Sequence, residues 1–252
     1  MADHSSGSPA ELRCNAVSAT AIAKSGRVLC AFAYFYLPFY GHDPRDVFWL
    51  FDPFAWISSF VYDVDEEIEC GRLPDDVLWR LDDLAAYLGE RVTLDQSVSS
   101  LLDDARRYYR FEYDVTRLDT DYSLDDLVHT TQLRSFDFRL MHRVLAQQSG
   151  IGYREPLFDW FRAFEMLMEI EDDILSAEED RRRRTFNILC LASRLEPNAG
   201  CAFVEELRRQ VDEELVRRAE QLPDDERQLS ARTLEAYRSI VARPLLGSRN
   251  AN

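Results

Sequence analysis

Helix-start signals recur along this chain, and no sheet signal interrupts them. Ser8-Pro9-Ala10-Glu11 sets a Ser N-cap, a first-turn Pro and an acidic third residue in order. Asp43-Pro44, Pro53, Leu73-Pro74-Asp75-Asp76, Asp95, Ser123-Leu124-Asp125-Asp126 and Pro156 give further starts. Stops follow at Ser25-Gly26, around Pro38 and Gly41, and at Cys70-Gly71, Gly89, Ser149-Gly150, Pro197 with Gly200, and Leu222-Pro223. No segment alternates with period two between Asn-Gly or Asp-Gly turns. The expectation is an all-α chain: a single large helical bundle of about ten helices over residues 8–244. Residues 1–7 read as a disordered N-terminal tail and 245–252 as a C-terminal tail. Helix one should end near Ser25-Gly26, and a second apolar segment should run from Val28 to Leu37. A seventh should span Ser123 to Ser149. The eighth, from Pro156, should continue bent through Leu195.

The 252 residues are 46% hydrophobic and 12% aromatic, enough to bury a real core. The net charge of −16 argues against nucleic acid and anionic membrane surfaces as partners. It leaves room for an anionic substrate, because bound metal reverses the sign locally. Lys24 is the only lysine, which reads as base-composition bias. Cys14, Cys30, Cys70, Cys190 and Cys201 are odd in number, widely spaced and free of C-x-x-C. That fits neither a disulfide framework nor a zinc site, and points to a reducing, cytoplasmic setting. The N-terminus lacks the basic-then-apolar pattern of a signal peptide. The best apolar run, Val28 to Tyr40, is too short for a membrane span. The four histidines make no site, and nucleophile-elbow, Walker and dinucleotide glycine patterns are missing.

Two acidic stretches carry the chemistry. In Glu169 to Asn187, helical spacing stacks Asp172, Ser176 and Asp180 along one face. Three oxygen-bearing side chains in a stripe suit a hard cation such as Mg²⁺. Arg181 to Arg184 follow at once and offer charge to a diphosphate. The bland reading is a solvated helix end, acidic then basic. The second stretch, Phe60 to Glu69, follows an aromatic run and sets Asp63 and Glu67 one turn apart, with Glu66 beside them. Carboxylates gathered at a helix C-terminus oppose the macrodipole and repel one another. A cation site would offset that cost.

Asp172-Asp173-x-x-Ser176-x-x-x-Asp180 resembles the second metal motif of class I terpene synthases, Asn/Asp-Asp-x-x-Ser/Thr-x-x-x-Glu, with Asp180 where Glu is usual. Asp63 and Glu67 resemble the ends of the family's first motif, Asp-Asp-x-x-Asp/Glu, with Val64 in place of its second Asp. Asp65-Glu66-x-x-Glu69 is an alternative register two residues on; the Phe60-x-Tyr62 lead-in favours Asp63. The short spacing between motifs resembles the compact bacterial cyclases of the isoprenoid-synthase superfamily. The resemblance covers about residues 28–243.

It implies helices around a central cavity, the two motifs facing each other. Three Mg²⁺ ions would be held by Asp63, Glu67, Asp172, Ser176 and Asp180. Arg139, with Arg134 as the alternative, and Arg184 would bind diphosphate. Trp56, Phe60 and Phe161 are the aromatic cavity candidates, although most of the chain's aromatics must be ordinary core. The implied activity is a lyase that ionises farnesyl or geranylgeranyl diphosphate and cyclises the cation. A homodimer is an open expectation. Glu179 stands where the family has a basic residue, and Tyr237-Arg238 reverses its C-terminal Arg-Tyr pair, which puts the closing contact in doubt. Two rival readings remain: a prenyltransferase on the same fold, and a non-catalytic helical interaction protein whose acids are surface charge.

Overall fold

A computed structural model describes residues 18–49, 51–118 and 120–241. The helix start at Ser8-Pro9, Cys14, and both expected tails lie outside them. Helical residues make up 81% of the described chain, with no strand among them. No described helix is long and apolar enough to cross a membrane.

Helix α1 (Ala19–Phe35) starts where the Ser18 hydroxyl accepts the Ala21 N–H at 3.0 Å. It runs straight through Ser25-Gly26, where a stop was expected. The reason is tertiary. Ser25 Oγ bonds back to the Ala21 carbonyl and lies 3.1 Å from Ser59 Oγ on α2 (Phe51–Glu69). Packing along α2 outweighs glycine's helix penalty of about 1 kcal/mol. Two 3-10 turns, Leu37–Tyr40 and Pro44–Trp49, link α1 to α2. The single fifth helix expected from Pro74 is two, α3 (Pro74–Val77) and α4 (Trp79–Gly89). Asp95 caps α5 (Gln96–Arg117), as its sequence suggests.

The expected seventh helix also divides, into α6 (Leu124–Leu133) and α7 (Phe136–Gln148). At the break, Arg139 donates to the carbonyls of Leu133, Arg134 and Ser135 at 2.9–3.2 Å. The Leu133 carbonyl, which has no backbone donor at the break, is thereby satisfied by a side chain, and the chain can turn. Helix α8 (Glu155–Arg183) carries Pro156 in its first turn. It stops at Arg184, which adopts a left-handed conformation (φ 58°), instead of bending on to Leu195. Asn187 then caps a separate α9 (Ile188–Leu195), followed by α10 (Gly200–Ala219) and α11 (Asp224–Val241).

The core gathers on α2, α7 and α8, with Ile57, Val64, Leu140, Met141, Leu167 and Ile170 all buried. At one end an aromatic stack closes it. Tyr36 lies between Phe32 (4.4 Å) and Phe161 (4.0 Å), and Trp160 stacks on Phe164. Polar groups are threaded through this end. Tyr36 donates to Glu165 at 2.7 Å, Arg139 Nε sits 3.4 Å from the same carboxylate, and Tyr40 meets His142 at 2.8 Å. Burial pushes Glu165 up to about 8 and Asp137 up to about 7, and drives His142 well below the ordinary imidazole value.

These shifts fix a pH dependence. Glu165 and Asp137 hold protons to higher pH when folded than when unfolded, where carboxyls titrate at about 4. Their contribution is full below that value and is lost as pH rises through the folded values near 7 and 8. His142 acts oppositely, but its contribution is lost only as pH falls below about 6.5. Melting temperature should therefore fall by several degrees from about pH 6.5 to about pH 8.5. Glu165→Gln should flatten that slope; an unchanged slope would remove Glu165 as its source.

Two glycines give opposite expectations. A Cβ on Gly26 would meet nothing within 4 Å, whereas one on Gly200 would lie 2.5 Å from the Ala192 and Ser193 backbone. Urea unfolding should show Gly26→Ala stabilising by about 1 kcal/mol. Gly200→Ala should destabilise by about 1–3 kcal/mol, through forced separation of α9 and α10.

Candidate functional site

The acidic stripe of α8 is held by its own C-terminal turns. Ser176 Oγ donates to Asp180 Oδ2, and Asn187 Nδ2 donates to the same oxygen at 2.8 Å. Asn187 is fully buried, fixed by capping α9 and by a 2.7 Å bond to the Asp173 carbonyl. Asp172 lies one turn before Ser176 on the cavity side. Its neighbour Asp173 turns inward instead. It accepts Arg134 at 2.7 Å and the Ile188 N–H at 2.6 Å, so it is a structural residue of the α6–α8–α9 junction.

Across from this stripe, α2 presents Asp65 and Glu69, not Asp63 and Glu67. Asp63 pairs with Arg80 of α4 and accepts the Ser18 N–H at 3.0 Å. Glu67 pairs with Arg80 at 2.8 Å and with Arg72 at 3.5 Å. Both carboxylates of the favoured register are thus neutralised on the α4 side of the helix. The register two residues on faces the cavity, with Tyr62 one turn before Asp65.

The cavity has a volume of about 500 Å³. Its walls come from α2, α5, the α6–α7 break, α8, Phe186 and the end of α11. Among the described residues, seven carboxylates line it (Asp65, Glu69, Glu112, Asp137, Glu169, Asp172 and Asp180), against one arginine, Arg134. Lys24 reaches Asp65 from α1 at 3.4 Å. Burial raises Asp65 despite Lys24, and raises Asp172, with Glu169 adding to the effect. Burial, then Asp65, pushes Glu69 and Glu112 each up to about 7. Every one of these shifts has the sign of an excess of negative charge or a shortage of water, and a bound cation would reverse it.

The basic candidates separate. Arg134 lies in the cavity wall, 3.1 Å from Glu169. Arg139 is buried behind the helix break and lines a second cavity of about 440 Å³ with Glu165. Arg184 is the exposed cap residue of α8 and does not line the acidic cavity. The aromatic candidates also fall elsewhere. Trp56 packs on Phe60 and Tyr87 at 5.3 Å, and Phe161 belongs to the core stack. The rings on the cavity wall are Tyr62, Tyr108, Tyr109, Phe136, Phe138, Phe186 and Tyr237. Tyr237 supplies an aromatic from α11, while its neighbour Arg238 pairs with Asp212 at 2.6 Å.

Among the described residues, no three carboxylates, histidines or cysteines converge tightly enough to hold a metal ion unaided. The donors on α2 and α8 are all oxygens, and Mg²⁺ needs only one or two carboxylates where phosphate oxygens complete its shell. Asp65, Glu69, Asp172 and Asp180 are the oxygen donors that line the cavity from these two helices, with Glu169 already paired to Arg134.

Sequence reading passed over Glu112, although one signal marks it. The buried stripe of α5 runs Val98, Leu101, Leu102, Ala105, Tyr108, Tyr109, Glu112, Val115, and a carboxylate occupies one of its places. Asn187 gave only the ordinary signal of a helix cap. No family model, curated protein or solved structure matches this chain.

Proposed function

We propose that the chain is a Mg²⁺-dependent class I terpene cyclase acting on a linear prenyl diphosphate of farnesyl or geranylgeranyl length. One observation carries the reading: acids on two separate helices, α2 and α8, border one cavity whose remaining walls are largely aromatic and aliphatic. Asp65 and Glu69 on one side, with Asp172, Ser176 and Asp180 on the other, would hold the metal–diphosphate end of the substrate. Bound Mg²⁺ would supply the positive charge that lets diphosphate leave. Arg134 adds a fixed guanidinium beside Glu169 at the same end. Tyr62, Tyr108, Tyr109, Phe136 and Phe186 offer ring faces to the hydrocarbon cation and keep water from it. A prenyltransferase would share the ionisation step and differ in its product.

Incubation with geranyl, farnesyl and geranylgeranyl diphosphates plus Mg²⁺ should release diphosphate and yield hydrocarbon by gas chromatography. Asp65→Asn and Asp172→Asn should each lower release on the order of 100-fold or more. Asp63→Asn should retain release but melt at lower temperature, because it strips a partner from Arg80. Release that depends on Asp63 and ignores Asp65 would restore the other register. No release from any of the three substrates would overturn the proposal.

Metal and diphosphate should also depend on each other. Either alone meets an incomplete site, so each should shift the melting temperature little. Together they should raise it by several degrees, the scale of about 2.7 kcal/mol expected at a hundredfold excess over Kd. Simple additivity would argue against a shared site.

A further inference from the structure

Glu112 has no part in the metal–diphosphate end described above, yet it is the wall carboxylate whose situation is hardest to explain without a ligand. It is 4% exposed. One oxygen accepts the Phe186 N–H at 3.0 Å, and Oε2 has no hydrogen-bond partner. The nearby bases are committed elsewhere. Lys24 pairs with Asp65, and Arg134 pairs with Glu169 and Asp173. A buried carboxylate without a partner is costly, so the ligand is the natural source of one. The surroundings specify its kind. Tyr108 precedes Glu112 by one turn, and its ring meets that of Phe186 edge-on at 6.1 Å. The Tyr109 hydroxyl is already spent on the Val61 carbonyl at 3.0 Å. Aromatic rings attract a cation but do not hydrate one.

We infer that Glu112 is the counter-charge for positive charge on the hydrocarbon part of the bound ligand, held among Tyr108, Tyr109 and Phe186. The identity of that charge as a prenyl carbocation rests on the cyclase reading; the presence of a site for an organic cation does not. Glu112 therefore acts on a different part of the ligand from Asp65 and Asp172.

Calorimetry with a protonated tertiary amine bearing a farnesyl-length chain, and with its neutral hydrocarbon isostere, tests this. Wild-type protein should bind the ammonium roughly tenfold more tightly than the isostere. Glu112→Gln should erase the preference, while joint binding of Mg²⁺ and inorganic diphosphate stays within about twofold of wild type. Glu112→Asp, which retains the charge, should keep part of the preference. A crystal structure of wild type with the amine should place its nitrogen about 4–6 Å or less from Oε2, and this serves if Glu112→Gln does not fold. Equal binding of amine and isostere by wild type, a preference that survives in Glu112→Gln, or a nitrogen seated elsewhere would each overturn the inference. Loss of Mg²⁺–diphosphate binding in Glu112→Gln would overturn it too, by moving Glu112 to the metal end. Should wild type not bind Mg²⁺ with diphosphate at all, the cyclase reading fails, and the ammonium preference still decides the role of Glu112.

Discussion

Arg134 joins the end of α6 to Asp173 and Glu169 of α8, and the orientation of the acidic stripe follows from that contact. Neighbouring residues on a helix point roughly 100° apart. With Asp173 drawn inward to the partly buried Arg134 guanidinium, Asp172 is left facing the cavity. The Asp173 carboxylate also accepts the Ile188 N–H, which fixes where α9 begins. Asn187 is thereby set beneath Asp180 and Ser176. Removing Arg134 would leave the buried Asp173 carboxylate without its charged partner, which is strongly unfavourable. The adjacent aspartates therefore do different work: Asp172 faces the cavity, and Asp173 holds three helices in register.

The two cavities show opposite electrostatic arrangements. In the one behind the helix break, Arg107 pairs with Asp104 and Arg218 with Asp159, and the carbonyls at the break hold Arg139 beside Glu165. In the acidic one, the carboxylates among the described residues outnumber Arg134 seven to one, and burial raises Asp65, Glu69, Glu112 and Asp172 alike. A chain selected only for stability would have no reason to keep such an excess. Ser135 lines both cavities and donates to Glu169, so the break between α6 and α7 is their common wall. Arg139 holds that wall from one side and Arg134 from the other.

The aromatic residues divide by the same geometry. Tyr36, Phe161, Trp160 and Phe164 stack face to face or edge to face and seal the core. Tyr62, Tyr108, Tyr109, Phe136 and Phe186 instead line the acidic cavity beside its carboxylates. Type alone does not separate the two groups. What separates them is where each ring lies, in the closed core stack or on the wall of the acidic cavity.

The all-helical class, the caps at Asp95 and Ser123, and the alignment of Asp172, Ser176 and Asp180 were legible in the residues, because each rests on contacts within one turn or one helix. Candidate acids on α2 were legible too, but the register was not. Asp63 with Glu67 and Asp65 with Glu69 have the same i, i+4 spacing, and Arg80 on another helix decided which pair would be neutralised. Gly26 did not end its helix because α2 supports it, and the seventh helix broke because Arg139 could satisfy carbonyls at the break. That Arg134 and Tyr108 line the acidic cavity, while Arg139 and Trp56 do not, was likewise decided between helices. Local spacing determines which side chains share a face. Only the tertiary structure determines what that face meets, because burial and charge pairing are set by residues distant in sequence.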